Sequence, residues 1–317
     1  MRPHRPDPNS APSADLDGPM TYVARAPGEN TGVALLGDDT LKAIAEIDYL
    51  RDYDDGIYRD LDIELTLDYM RRRFVAPLSR HVDIGTASLL DCASGFGWLS
   101  FAYLLAGGSH AVLVEMDEQR LDAARAIARR IGVERRCSFL TERIQDIAID
   151  DDGIDIFASI ETLEHVGRDG IRDSLRNMAR IARQAVVLTT PNRIFPVIAH
   201  DTELPFAHWL PPAPRRPYAK AAGREALDRS NHFLMPWDLA PLAAKFRPVS
   251  SYQTFATRDE YSRFYPHYMP YGPKQVRRWR SGPRAGQRAM QVALAQLLGS
   301  WSFALAPNLA SLWLRRG

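Results

Sequence analysis

Leu89-Leu90-Asp91-Cys92-Ala93-Ser94-Gly95-Phe96-Gly97-Trp98 decides the reading of this chain. An apolar run runs into a turn punctuated by two glycines, and a second apolar stretch with helical spacing begins at Trp98. Gly95 and Gly97 accept positive φ and let a ligand come close to the backbone. The helix start behind them offers unpaired N–H groups to a carboxylate or phosphate. Position 100 is Ser, so the third glycine of the dinucleotide pattern G-x-G-x-x-G is absent, which argues against a nicotinamide or flavin dinucleotide.

Outward from this turn, strand-like and helix-like segments alternate. Strands are predicted over Ser88–Ala93, Ala111–Glu115, Cys137–Leu140, Ile154–Ile160 and Ala185–Thr189. Helices fall between them at Trp98–Leu105, Glu118–Ile131 and Asp169–Ala182. Short uninterrupted apolar strands joined by crossover helices predict an α/β fold, a doubly wound and mostly parallel sheet covered on both faces. Two helical patterns precede it, Asp39–Arg51 and Ile63–His81; the second gathers Leu65, Leu67, Tyr69, Met70, Phe74 and Leu78 on one side. A helix over Pro236–Phe246, a strand over Val249–Phe255 and a last strand near Ser311–Leu314 complete a seven-stranded sheet.

Glu115 ends the second strand, 18 residues beyond Gly97, where an acid accepts hydrogen bonds from both hydroxyls of a nucleoside ribose. An acid on the first strand with G-x-G after it suits the amino-acid end of S-adenosylmethionine. With Asp91-x-Ala93-Ser94-Gly95-x-Gly97, then Glu115, then Ser159-Ile160-Glu161-Thr162-Leu163-Glu164-His165-Val166, the chain resembles the class I S-adenosylmethionine-dependent methyltransferases. The likeness is strongest to the branch of the ubiquinone-biosynthesis O-methyltransferases, and it runs from about Leu89 to Asn192. It implies a Rossmann-like methyltransferase fold with N-terminal helices and a lid inserted after the fifth strand. It further implies that Asp91, Ala93, Ser94, Gly95, Gly97, Glu115, Met116, Ile144, Ser159 and Glu161 line the cofactor, with the fourth-strand segment at its methionine end. One departure stands out: where that family shows Gly-Asp-Ala after the third strand, this chain has Glu142-Arg143-Ile144, so Arg143 takes the acid's place and Glu142 or Gln145 is expected to supply the adenine contact instead.

Methyl transfer to oxygen needs a base unless the acceptor is already acidic. His165, next to Glu164, is the first candidate, because imidazole accepts a proton near neutral pH and a carboxylate raises its basicity; the alternative is a histidine that caps a turn. His200 and His208 lie in the string Pro191-Asn192-Arg193-x-Phe195-Pro196-x-x-x-His200-x-x-x-Leu204-Pro205-x-x-His208-Trp209-Leu210-Pro211. That string resembles a variant among methyltransferase-like proteins of bacterial polysaccharide and lipid-conjugate pathways. Its histidines either stand beside the sulfonium or hydrogen-bond the lid's own backbone. No paired ligand motif points to a metal.

Composition narrows the classes further. Forty basic against 39 acidic residues leave a net charge of +1, without the basic surplus expected of a nucleic-acid binder. The two cysteines, Cys92 and Cys137, sit in apolar runs and are expected reduced, in a cytoplasmic setting. Residues 1–30 read as a disordered leader with neither signal peptide nor anchor. The remainder, 31–317, reads as one domain: a helical cover at 31–85, the cofactor-binding core at 86–191, the lid at 192–235, and the rest of the sheet at 236–317 with a Tyr- and Arg-rich insertion at 259–284. Arg277, Arg278, Arg280, Arg284 and Arg288 precede an uncharged stretch of 24 residues, Gln291–Leu314. Its Gln, Ser, Pro and Asn residues make a poor spanning helix, but the basic and apolar pairing suits peripheral contact with the inner face of a membrane. The acceptor is expected to be a small molecule, a lipid-linked group or a saccharide. Two other functions are compatible with such a chain: a scaffold that binds the cofactor without turnover, and a nicotinamide-dependent oxidoreductase.

Overall fold

A computed structural model describes residues 36–51, 61–198, 202–224, 231–251 and 285–317. The leader at 1–30, the insertion at 259–284 and His200 lie outside the described residues. Seven strands form one sheet: β1 (Ser88–Cys92), β2 (His110–Val114), β3 (Cys137–Leu140), β4 (Ile154–Ile160), β5 (Ala182–Thr189), β6 (Phe246–Ser251) and β7 (Ser311–Arg315). Their order is β3-β2-β1-β4-β5-β7-β6. The first five run parallel, and β7 lies antiparallel to both its neighbours.

Side chains alternate between two buried layers, as the period of a strand requires. Leu89, Leu113, Ile156 and Ala158 face one layer, and Leu90, Val112, Val114 and Phe157 face the other. Each such side chain taken from water contributes roughly 1.5–3 kcal/mol. The first layer is roofed by α5 (Trp98–Leu105), α6 (Glu118–Arg130) and the N-terminal helices. The second is roofed by α7 (Arg168–Ile181) and the short α9 (Ala240–Ala243).

Several expected elements are redrawn. The predicted Asp39–Arg51 helix is two pieces, α1 (Asp38–Ala45) and α2 (Asp48–Arg51), because Asp48 opens a new first turn where an acid is favoured. The Ile63–His81 helix becomes α3 (Ile63–Met70), a π turn (Arg71–Val75) and α4 (Ala76–Ser79), with Pro77 just beyond the widened turn. β5 begins at Ala182, three residues early, and the strand placed at Val249–Phe255 runs instead over Phe246–Ser251 as far as the described residues go. The Pro236–Phe246 helix is a 3-10 turn (Pro236–Leu239) followed by α9. The lid contains a helix, α8 (Pro212–Ala221). Pro212 and Pro214 fall in its first turn, where a missing N–H costs no helical bond. The uncharged C-terminal stretch divides as expected: α10 (Ala285–Leu298), a 3-10 segment (Gly299–Leu305), then β7. Among the described residues no helix is long and apolar enough to cross a membrane.

Candidate cofactor and acceptor site

The strand order reverses between β1 and β4, and in open α/β sheets ligands bind beyond the carboxyl ends of strands at such a switch point. Both quoted motifs end there. Cys92, the last residue of β1, lies in register with Val114 of β2 and Ser159 of β4. The loop that follows is built from left-handed backbone: Ala93 at φ 55°, Gly95 at 55° and Gly97 at 84°. Gly97 is the N-cap of α5, and a Cβ there would fall 2.6 Å from Leu113 Cδ2, so only glycine lets the helix start this close to β2.

Asp91 is 3% exposed. Its Oδ2 accepts from the amide (3.2 Å) and the hydroxyl (2.9 Å) of Ser100, in the first turn of α5. Burial pushes this carboxyl up to about 7 against the pull of the Ser100 bonds, with the Glu115 charge adding to the rise. Asp91 therefore fastens the helix start beneath the loop. Ser100, read from sequence only as a missing glycine, is the residue it holds.

Glu115 closes the loop from the next strand. Its Oε2 accepts from Gly95 N at 3.0 Å, and its Oε1 from Met116 N at 2.8 Å and Asp117 N at 3.3 Å. The carboxylate is 8% exposed, while Met116 beside it is 61% exposed. Asp117 caps α6 and accepts from the Tyr49 hydroxyl at 2.9 Å; the Tyr49 ring lies 6.1 Å from that of Phe96. The N-terminal cover thus rests on the loop.

At the end of β4, Glu161 is held at φ 51°, and its Oε1 accepts from Thr189 Oγ1 (2.6 Å) and Asn308 Nδ2 (2.9 Å). Glu164 is fully buried, with Oε2 accepting from Thr190 Oγ1 at 2.9 Å. Burial and the neighbouring Glu161 charge drive its carboxyl well above the usual range. His165 ends the short 3-10 turn and is half exposed. Its Nδ1 lies 3.0 Å from Asn231 Oδ1, and its Nε2 3.8 Å from Glu164 Oε1.

His208 is differently engaged. Its Nε2 and the Trp209 indole N–H both meet the Arg193 carbonyl, at 3.0 and 2.6 Å, and its ring packs edge-on to Phe233. Ile144 is buried, and its carbonyl accepts from Asn177 Nδ2 at 2.8 Å. Arg143 is exposed, and Glu142 accepts from Ala148 N at 3.2 Å, folding its own loop. Tyr49, Ser100, Thr190, Asn231 and Asn308 were missed by sequence reading, since nothing in their local patterns marks them; only the fold delivers them.

Two hydroxyls at this end of the sheet, Ser94 Oγ and Ser159 Oγ, are buried with no hydrogen-bond partner in the protein. An orphaned buried oxygen costs about 1–3 kcal/mol. Together with the left-handed loop they fit a polar ligand laid across the ends of β1 and β4. Among the described residues no group of three His, Cys, Asp or Glu side chains is placed to hold a metal ion.

Residues 89–185 match the family model described as "Methyltransferase domain". No curated protein matches the chain. Among solved structures it is similar to an S-adenosylmethionine-dependent methyltransferase from Mesorhizobium loti, 15% identical over 77% of this chain and 98% of that one, TM-score 0.44. The [4+2]-cyclase SpnF gives 14% identity over 77% and 81%, TM-score 0.44. MccD protein gives 12% over 80% and 97%, TM-score 0.44. Likenesses this distant carry no argument about the reaction. Residues 89–185 thus match a methyltransferase domain and lie within a Rossmann-like, mostly parallel seven-stranded sheet, and the cofactor is S-adenosylmethionine.

Proposed function

We propose that the protein methylates an oxygen of a small-molecule, lipid-linked or saccharide acceptor. The observation that carries this reading is the 3.0 Å bond from Gly95 N to Glu115 Oε2, which draws the glycine loop and the second-strand acid into one cradle at the switch point. When bound, S-adenosylmethionine supplies an electrophilic methyl group on a sulfonium. Ala93, Ser94, Gly95 and Gly97 hold its amino-acid end over Asp91, and Glu115 takes the ribose. Exposed Met116 offers an apolar face to the adenine, with Ile144 behind it. Ser159 and Glu161 border the methionine end. His165 Nε2 accepts the acceptor's hydroxyl proton, with Asn231 holding the ring and Glu164 beside the resulting imidazolium. His208 and Trp209 fold the lid back on its own Arg193 carbonyl, and the lid and α3 exclude water from the reacting atoms.

The Ser159–Val166 motif resembles that of the ubiquinone-biosynthesis O-methyltransferases and the lid string that of methyltransferase-like proteins of saccharide and lipid-conjugate pathways, and neither chooses among these acceptors. Exposed Met290, Leu297, Leu298, Trp301 and Leu305, along α10 and the turn after it, support a peripheral membrane contact that suits a lipid-linked acceptor. Methyl-labelled S-adenosylmethionine offered with phenol, saccharide and lipid-linked acceptors tests the reading. Label is expected on one class, and His165→Ala is expected to slow transfer by roughly 10²-fold or more. Tight cofactor binding with no transfer to any acceptor would favour a scaffold instead.

A further inference from the structure

The N-terminal cover carries a buried cation that no carboxylate among the described residues answers. In Arg71-Arg72-Arg73, the first two side chains pair with Asp68, at 2.8 and 2.7 Å. Arg73 turns inward and is 7% exposed; its Nε has no hydrogen-bond partner, and no ion pair reaches it among the described residues. Its guanidinium lies 5.6 Å from the Tyr69 ring centroid and 5.4 Å from that of Phe74. The two rings meet edge to face at 6.2 Å, so they form two apolar walls of its surroundings. Aromatic faces offset part of the cost of burying a cation but do not replace an anion.

The surroundings connect this cation to the site. Arg73 sits in the π turn Arg71–Val75, and π turns inside α-helices are frequently found at functional sites. That turn and α3 pack against α5, the helix that springs from the Gly95–Gly97 loop. Burial raises the Tyr69 phenol, the Arg73 charge opposes the rise, and the Glu161 carboxylate adds to it. Tyr69 therefore lies within electrostatic reach of both Arg73 and the end of β4.

We infer that Arg73 recognises an oxyanion on the methyl acceptor, a carboxylate or a phosphate ester, between the rings of Tyr69 and Phe74. The planar guanidinium gives two parallel N–H donors to such a group, which a lysine does not. This inference rests on the methyltransferase reading and adds the acceptor's charge to it.

Calorimetry with benzoate, phenyl phosphate and neutral benzamide, on protein first titrated with S-adenosylhomocysteine, tests it. Wild type should bind at least one of the two anions at least tenfold more tightly than benzamide; whichever is preferred tells carboxylate from phosphate. Arg73→Gln should lose that preference while its affinity for S-adenosylhomocysteine stays within twofold. Should Arg73→Gln fail to fold, the ¹⁵Nε resonance of Arg73, assigned by its loss in Arg73→Lys, must move on adding the anion and not benzamide. Equal binding of all three probes by wild type, or an unmoved resonance, overturns the inference. Failure of wild type to bind S-adenosylhomocysteine, with an anion preference that depends on Arg73, would instead overturn the cofactor assignment and leave the anion site standing.

Discussion

At the residue scale, Asp91 joins two opposed requirements: it caps the start of α5 and is buried while doing so. Its folded carboxyl is raised to about 7 from an unfolded value of 3.8, so the native state binds this proton more tightly than the unfolded chain. Stability from this group is therefore full below about pH 4 and declines until about pH 7, a change of about 4 kcal/mol. Asp91→Asn keeps an acceptor for Ser100 and removes the titration. Melting at pH 5 and pH 8 should show the variant gaining on wild type as pH rises, and parallel pH profiles would contradict the assignment. Gly97→Ala places a Cβ against Leu113 at positive φ and should cost about 3 kcal/mol in denaturant unfolding. A loss under 1 kcal/mol would mean that the loop is not held as described. Glycines and acids of this kind were legible in sequence because their spacing carries the chemistry. Ser100 was legible only as an absence, since its bond to Asp91 spans nine residues and exists only once β1 and α5 are packed.

Elements were legible where one physical rule dominated. β3, β4 and α5 match their predicted bounds because apolar runs flanked by turns leave little choice. Where rules compete, prediction slipped. Prolines in the lid read as a loop, yet two of them fall in the first turn of α8 and do not interrupt it. β5 starts early because pairing with β4 recruits Ala182–Gln184, whose polar members give no strand signal. The join between α7 and β5 depends on a side chain from far along the chain. Lys245 Nζ donates to the carbonyls of Ala179 (2.6 Å) and Ala182 (2.9 Å) and to Asp152 Oδ1 (2.6 Å). Lys245→Met leaves the two carbonyls unserved and Asp152 with Arg315 alone, and should destabilise by about 2–3 kcal/mol, read as a lower melting temperature. Unchanged melting would show that water serves them equally well.

For the whole molecule, the doubly wound sheet and its switch point followed from alternating strands and helices, but what lies over the site did not. Tyr49, Asn231 and Asn308 arrive from three separate parts of the chain, and no local spacing announces their place at the site. The apolar ridge of α10 belongs to this scale as well. Leu297→Glu with Met290→Glu, both exposed, should leave melting unchanged and abolish co-sedimentation with phosphatidylglycerol vesicles. Persistent co-sedimentation would remove the ridge from any membrane role. The central claim is the cradle formed by the glycine loop and Glu115, and it is tested most directly by calorimetry with S-adenosylhomocysteine on wild type and Glu115→Ala. The account predicts saturable binding by wild type and at least tenfold weaker binding by the variant at unchanged fold. Equal affinity of the two proteins, or no heat from either, would contradict it.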